Sequence, residues 1–308
     1  MNPWSAIALH VILLLVLPPL MLGVIDRTRA WVAGRRGPPL RQPYRDLARL
    51  LRKGAVYSRI TTPIFVAGPL LSLAALLTAG LLIPLASNHA PLGFVGDVVA
   101  FGCLLGLGRF VMMAAALDTG SSFEGLGASR EATFSALTEA TLFLILVVLC
   151  VPAGSPSFEA AWNAVSWASP GLARAPLLAA AVALFVVILA ENSRIPVDDP
   201  HTHLELTMIH EVMILDHSGP DLAFISYAAA LKLFLFGSLL IHAVLPFPTR
   251  LSQGLGLLVL GQLALAVLIG TVESVMARLR LVQVPRFLIG GFAMAAVGLV
   301  AHFYRIGR

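Results

Sequence analysis

The chain has 308 residues, 58% of them hydrophobic and 12% charged, with mean hydropathy +0.89 and a formal net charge of +5. That is more apolar surface than one water-soluble core can hide, so a soluble globular domain is excluded and the bilayer is taken as the solvent. The 2 cysteines, Cys103 and Cys150, both fall in apolar runs, which excludes a disulfide framework and a thiolate set for zinc or an iron–sulfur cluster.

Lipid offers no partner for backbone N–H and C=O groups, so a span must be a helix of about 20 apolar residues. Eight segments meet that length, at about 4–25, 63–86, 96–117, 133–152, 175–190, 222–245, 253–273 and 283–303. The expected fold is all-α and polytopic, one transmembrane domain over 1–308. Nothing positive precedes the first segment and Arg27 and Arg29 lie beyond it, so it reads as a retained span rather than a cleaved signal. The loop that follows holds ten Lys or Arg residues against Asp26 and Asp46. In it, RGPPLRQPYRDLARLLRKG is a proline-broken entry to a short amphipathic helix, with Leu47, Leu50 and Leu51 on one side and Arg45, Arg49, Arg52 and Lys53 on the other. Such a helix lies along the inner membrane surface. No aromatic interleaving accompanies the basic residues, so topology and anionic lipid account for them and nucleic acid does not. An outside N-terminus puts loops 26–62, 118–132, 191–221 and 274–282 inside, where they and their borders hold 15 of the 21 Lys and Arg residues, the bias expected of cytoplasmic loops.

A charge inside a span costs about 2.5–3.5 kcal/mol on insertion scales, which makes each one a functional candidate. Arg109, in the third span, carries a stem that can snorkel inward and is read as a headgroup or structural anchor. Glu139 lies roughly six residues into the fourth span, and Lys232 about ten into the sixth. Two readings stand for this pair: a buried ion pair that fixes helix packing, or stations for protons. Glu273 closes the seventh span beside Arg278 and Arg280, where a surface ion pair explains it as well as a functional role.

After the short fifth span, which is expected to run on, comes ENSRIPVDDPHTHLELTMIHEVMILDHSG (191–219). It holds Glu191, Asp198, Asp199, Glu205, Glu211 and Asp216, six of the 16 acidic residues, together with His201, His203, His210 and His217. Asp198, Asp199 and Pro200 read as a helix start. HTHLELTMIHEVMIL then fits a helix of about four turns with Leu206, Ile209 and Met213 as its apolar stripe. Geometry opposes a zinc site: His201 and His203 point about 200° apart, and His203 and His210 lie about 10.5 Å apart along the axis.

The run AENSRIPVDDPHTHLELTMIHEVMILDHSGPDLA resembles the membrane subunit of formate hydrogenlyase and hydrogenase-4 type complexes, within the wider family that holds the heel subunit (subunit 1, or H) of respiratory complex I. Complex I members carry A-E-x-N-R-x-P-F-D-L-P-E-x-E-x-E-L, then an acidic residue and S-G. This chain matches at Ala190, Glu191, Arg194, Pro196, Asp198, Pro200, Glu205, Leu206, Asp216, Ser218 and Gly219. GPPLRQPYRDLARLL (37–51) and LDTGSSFEGLGASREATFSALTE (117–139) extend the resemblance along the chain. His201 and His203 stand where the complex I pattern has glutamates, and Asp199 replaces a leucine, which favours the hydrogenase branch over quinone chemistry.

The resemblance implies a docking platform, in the cell (inner) membrane of a bacterium or archaeon, for a [NiFe]-hydrogenase-like large subunit and an iron–sulfur small subunit on the cytoplasmic side. Antiporter-like membrane subunits would lie alongside. The [NiFe] centre and iron–sulfur clusters would belong to the partners, and this chain is expected to bind no metal or other cofactor. Within that reading Glu139, Lys232, Glu191, Glu205, Glu211 and Asp216 serve proton or ion coupling, because interacting carboxylates titrate as a group. Asp198, Asp199, His201, His203, His210, Glu124 and Glu131 serve docking, with Arg194 holding carboxylates by bidentate hydrogen bonds. Two other classes stay open: a quinone-site subunit of a complex I-like NADH dehydrogenase, and an independent cation transporter, which lacks support from any inverted pair of Gly/Pro-broken spans.

Overall fold

The computed structural model describes residues 3–87, 89–164, 175–198, 208–245 and 250–306. In chain order the described helices are α1 (Pro3–Val32), α2 (Gln42–Leu51), α3 (Pro63–Leu82), α4 (Asp97–Asp118), α5 (Ser122–Cys150), α6 (Phe158–Ala164), α7 (Ala175–Glu191), α8 (His210–Met213), α9 (Gly219–Val244), α10 (Leu251–Val275) and α11 (Val284–Ile306). Seven of them, α1, α3, α4, α5, α9, α10 and α11, are long and apolar enough to cross a membrane, and α7 is a shorter apolar helix. The chain is therefore an all-α, multi-pass membrane protein, and the amphipathic α2 lies between the first two spans with no residue fully buried.

The centre of the bundle is α9. Leu231, Leu233, Phe234, Leu235, Phe236 and Leu239 are all 0% exposed, and α9 packs against α1, α2, α3, α7 and α10. In α11 only 22% of the apolar window is buried against 67% in α9, so α11 is peripheral. At one end, Asp97 of α4 accepts from Phe158 N and Ser157 Oγ and so caps α6, while Trp162 stacks on His242. The other end gathers every connection that sequence places together: Thr62 meets Asp118, Val56 meets Ser218, Glu124 meets Asp216, and Leu279 meets Pro196.

Three expectations need correction. The span expected at about 133–152 begins at Ser122, leaving only Thr119–Ser121 of the expected loop. Its polar entry stays helical because Glu124, Gly127 and Ala128 are buried there, and α5 packs against α8. Secondly, α7 does not run on. Arg194 N donates to Leu189 O and Ser193 N to Ala190 O, with Ser193 at φ 49, a Schellman ending that turns the backbone left-handed just after the helix. Thirdly, the four-turn helix is not formed in its described part: Met208 and Ile209 are non-helical and α8 is 4 residues long. Leu206 and the start at Asp199 and Pro200 lie outside the described residues.

The contact between α5 and α8 is tight enough to require glycine. A Cβ on Gly127 would lie 2.4 Å from Val212 Cγ1 and 2.8 Å from Met213 Cγ. Gly127→Val is expected to destabilise the protein by about 1–3 kcal/mol through overpacking, read as a lower thermal-unfolding midpoint in detergent, with Gly127→Ala intermediate.

Candidate functional site

Arg109 lies nine residues from the end of α4, roughly 13.5 Å by helical rise. Its side chain, 8% exposed, reaches three carboxylates rather than a headgroup: Nε is 3.4 Å from Glu131, Nη2 is 2.6 Å from Glu191, and Nη1 bonds Glu139. Lys232 Nζ from α9 approaches Glu191 Oε2 at 3.5 Å, and Thr138 Oγ1 donates to Glu191 Oε1. The expected Glu139–Lys232 pair is thus a five-residue cluster in which Glu191, the last residue of α7, is shared by both cations. A buried guanidinium is retained only if such partners replace its lost hydration.

Beside the cluster is a cavity of about 70 Å³ lined by Arg109, Glu131, Glu191, His210 and Lys232, among others. At about 10–15 Å³ each it has room for a few waters. His210, at the start of α8, has its pKa pushed down to about 4, first by burial and then by the Lys232 charge, against the pull of Asp198 and Glu191. It is therefore neutral at physiological pH and able to accept a hydrogen bond.

The 191–218 segment is held by charged side chains from far away. The sequence reading has Asp198 capping the residues directly after it, which lie outside the described residues. Among the described residues its Oδ2 accepts from Ile209 N at 3.1 Å and His210 N at 3.4 Å, which caps α8 across a loop, and its Oδ1 pairs with Arg278 at 2.9 Å. Arg130 donates to Met208 O, and Glu124, 1% exposed, accepts from Asp216 N. Arg194, expected to hold carboxylates by bidentate hydrogen bonds, meets a carboxylate of α10 among the described residues, Glu273 at 3.3 Å from Nη1. Glu273 is no surface partner of Arg278 or Arg280; its carboxylate is 1% exposed and faces Arg29 and Arg194.

Of the candidates read from sequence, the structure brings Glu131, Glu139, Glu191 and Lys232 together around Arg109, with His210 on the adjoining cavity. Glu124 and Asp198 hold the loop instead, Glu211 is half-buried on α8, and Asp216 is exposed. Asp199, His201, His203 and Glu205 lie outside the described residues. Sequence reasoning missed the central role of Arg109 and the contributions of Thr138 and Arg278. Depth was the available signal, because Arg109 sits farther from the helix end than one side chain extends. Among the described residues, no three His, Cys, Asp or Glu side chains converge as a metal set.

Two outcomes follow. Thr138→Val removes a hydrogen bond to a buried charge and is expected to cost about 1.5–3 kcal/mol in unfolding stability. For His210, an opened segment takes a proton from about pH 6.5 downward, but the closed one only near 4. Hydrogen exchange of residues 208–216, corrected for intrinsic rate, is expected to rise by up to about tenfold per pH unit between those values. His210→Gln removes that dependence.

A family model described as NADH dehydrogenase matches residues 5–303. The chain is 33% identical to hydrogenase-4 component C of Escherichia coli over 94% of its length and 92% of that protein's. It is 30% identical to formate hydrogenlyase subunit 4 of Escherichia coli, covering 95% and 96% of the two chains. Its fold is similar to a chain of the membrane-bound sulfane sulfur reductase, an archaeal respiratory membrane complex, with TM-score 0.84 at 21% identity over 98% of this chain and 100% of that one. With near-complete matches to both the family model and these relatives, the chain belongs to the NADH dehydrogenase family of complex I subunit 1 (H), alongside the hydrogenase-4 and formate hydrogenlyase membrane components.

Proposed function

We propose that this chain is the anchoring and ion-coupling subunit of a membrane-bound [NiFe]-hydrogenase complex of the formate hydrogenlyase type. The Arg109 cluster carries the reading. Arg109 and Lys232 bring two positive charges against the carboxylates of Glu131, Glu139 and Glu191, so the group is neutral with one added proton and carries −1 without it. Such a group titrates as a unit. A charge moving in a partner docked above it biases that equilibrium, the more so through a low-dielectric interior.

Partners are read from what is exposed. Phe123 and Leu126 on α5 and Leu215 after α8 are 42%, 42% and 52% exposed at the loop end, next to the exposed Asp216. This mixed surface suits the hydrogenase large subunit and an iron–sulfur small subunit, which would hold the [NiFe] centre and clusters while this chain binds none. Asp199, His201, His203 and Glu205 are proposed to extend the same docking face. Glu139 is 39% exposed on an apolar helix, an arrangement lipid penalises, and it fits contact with an antiporter-like membrane subunit. Arg27, Arg35, Arg36, Arg41 and Arg45 are exposed at the loop end, which supports a cytoplasmic loop end and an outside N-terminus.

Glu191→Gln tests the reading with little change of shape. In the assembled complex, hydrogen evolution is expected to continue while the ion gradient formed per hydrogen falls at least about tenfold; an undiminished gradient contradicts coupling. Leu215→Glu with Asp216→Lys is expected to release the soluble hydrogenase module from membranes, and unchanged co-sedimentation contradicts docking there. Photoaffinity labelling of this chain by a quinone analogue would instead favour a quinone-site subunit.

A further inference from the structure

A second group of buried titratable side chains lies where the 52–62 loop meets the start of α9. His217 is 4% exposed and its ring lies flat on Phe65, centroids 4.0 Å apart, yet neither ring nitrogen has a hydrogen-bond partner. Asp221, 6% exposed, also keeps Oδ2 unpartnered, and its charge acts on Tyr57 of the 52–62 loop. The charged groups acting on His217 are Asp221 of α9 and Asp216 before it, and Asp216 is tied through its backbone to Glu124 of α5. Burial outweighs both carboxylates and lowers the pKa of His217. The unpartnered ring nitrogens of His217 and the unpartnered Oδ2 of Asp221 are suited to water or a proton.

The position of Asp221 connects this group to the Arg109 cluster. At 100° per residue Asp221, Ile225, Ala228 and Lys232 fall within about 60° of one another on α9, and Asp221 and Lys232 are roughly 16 Å apart along the axis. Ile225, Ala228 and Lys232 line the cavity beside the ion cluster. On that face Ile225 comes between Asp221 and Lys232, and it packs with Met112, Met213, Ile214 and Ala116 in one apolar cluster, of which Met112, Met213 and Ile225 form part of the cavity wall. The two polar sites thus share one helix face, with Ile225 and the methionines packed on it along the way. Methionine side chains repack easily, and apolar constrictions gate by wetting and drying.

We propose that His217 and Asp221 are the proton mouth of the Arg109 cluster, with Met112, Met213 and Ile225 as its dry gate. A proton from water binds a ring nitrogen of His217, passes to a water file when the gate wets, and ends on a cluster carboxylate; only N–H and O–H bonds form and break. The proposal rests on the coupling reading above.

Asp221→Asn keeps the shape and loses the acid, whereas Asp221→Glu keeps the acid. In the assembled complex, ion translocation per hydrogen is expected to fall at least about tenfold in Asp221→Asn and His217→Gln and to stay within about twofold in Asp221→Glu. Full coupling in Asp221→Asn and His217→Gln, or equal loss in both Asp221 variants, overturns the mouth. Glu191→Gln is run in parallel: if it loses coupling while the mouth variants keep it, only the mouth is wrong, and if it too keeps coupling, the coupling reading fails. The gate has its own readout. Ile225→Cys, in a chain with Cys103 and Cys150 replaced by Ser, is expected to react with a water-soluble thiol reagent during turnover and not at rest. Equal labelling in both states, or none in either, overturns the gate.

Discussion

A guanidinium that cannot be deprotonated, placed deep in an apolar helix bundle, has to find its counter-charge inside the protein. That requirement organises this molecule. Arg109 leaves α4 toward Glu131 and Glu139 of α5 and Glu191 of α7, and Lys232 of α9 completes the group. Removing either cation leaves carboxylates buried without compensation, and buried pairs broken in this way typically cost about 3–5 kcal/mol. The same interdependence makes the group responsive, since a charge added nearby changes the protonation of the set rather than of one residue.

The loop end is built by a related device. Backbone groups freed by short or interrupted helices are satisfied by carboxylates distant in sequence. Asp198 serves Ile209 and His210, and Glu124 serves Asp216. Because Asp198 also binds Arg278 and Arg194 binds Glu273, the segment between α7 and α9 is anchored to the last turn of α10 and to the connection after it. The segment thus touches α5 and α10 directly and, through His210 and Met213, the cavity beside the ion cluster.

Hydropathy alone made the spans legible, since nothing but burial in lipid tolerates eight such runs. The amphipathic α2 was legible from its alternation of leucine and arginine. What was hidden depends on long-range pairing. A snorkelling arginine and a buried one look alike when only the neighbours along one helix are known, and Arg109 finds its partners 30 and 82 residues away. Asp198 reads as a local cap, and nothing in the sequence signals that it also serves backbone groups 11 and 12 residues downstream. The period of the 201–215 stretch suited a helix, but Met208, Ile209 and Met213 are each buried without sharing one helical stripe, because Ile209 packs with Val197 and Leu288 while Met213 packs with Met112 and Ile225. Tertiary packing there overrides periodicity.

The central claim is that the carboxylates around Arg109 exchange a proton when the electron-carrying partner changes charge. Infrared difference spectroscopy of the assembled complex, between hydrogen-reduced and oxidised states, reads it directly in the carboxylic-acid C=O stretching region. The account requires a carboxyl band that appears or shifts with redox state and is lost in Glu191→Gln. A spectrum without any carboxyl change, or with one that Glu191→Gln leaves intact, contradicts it.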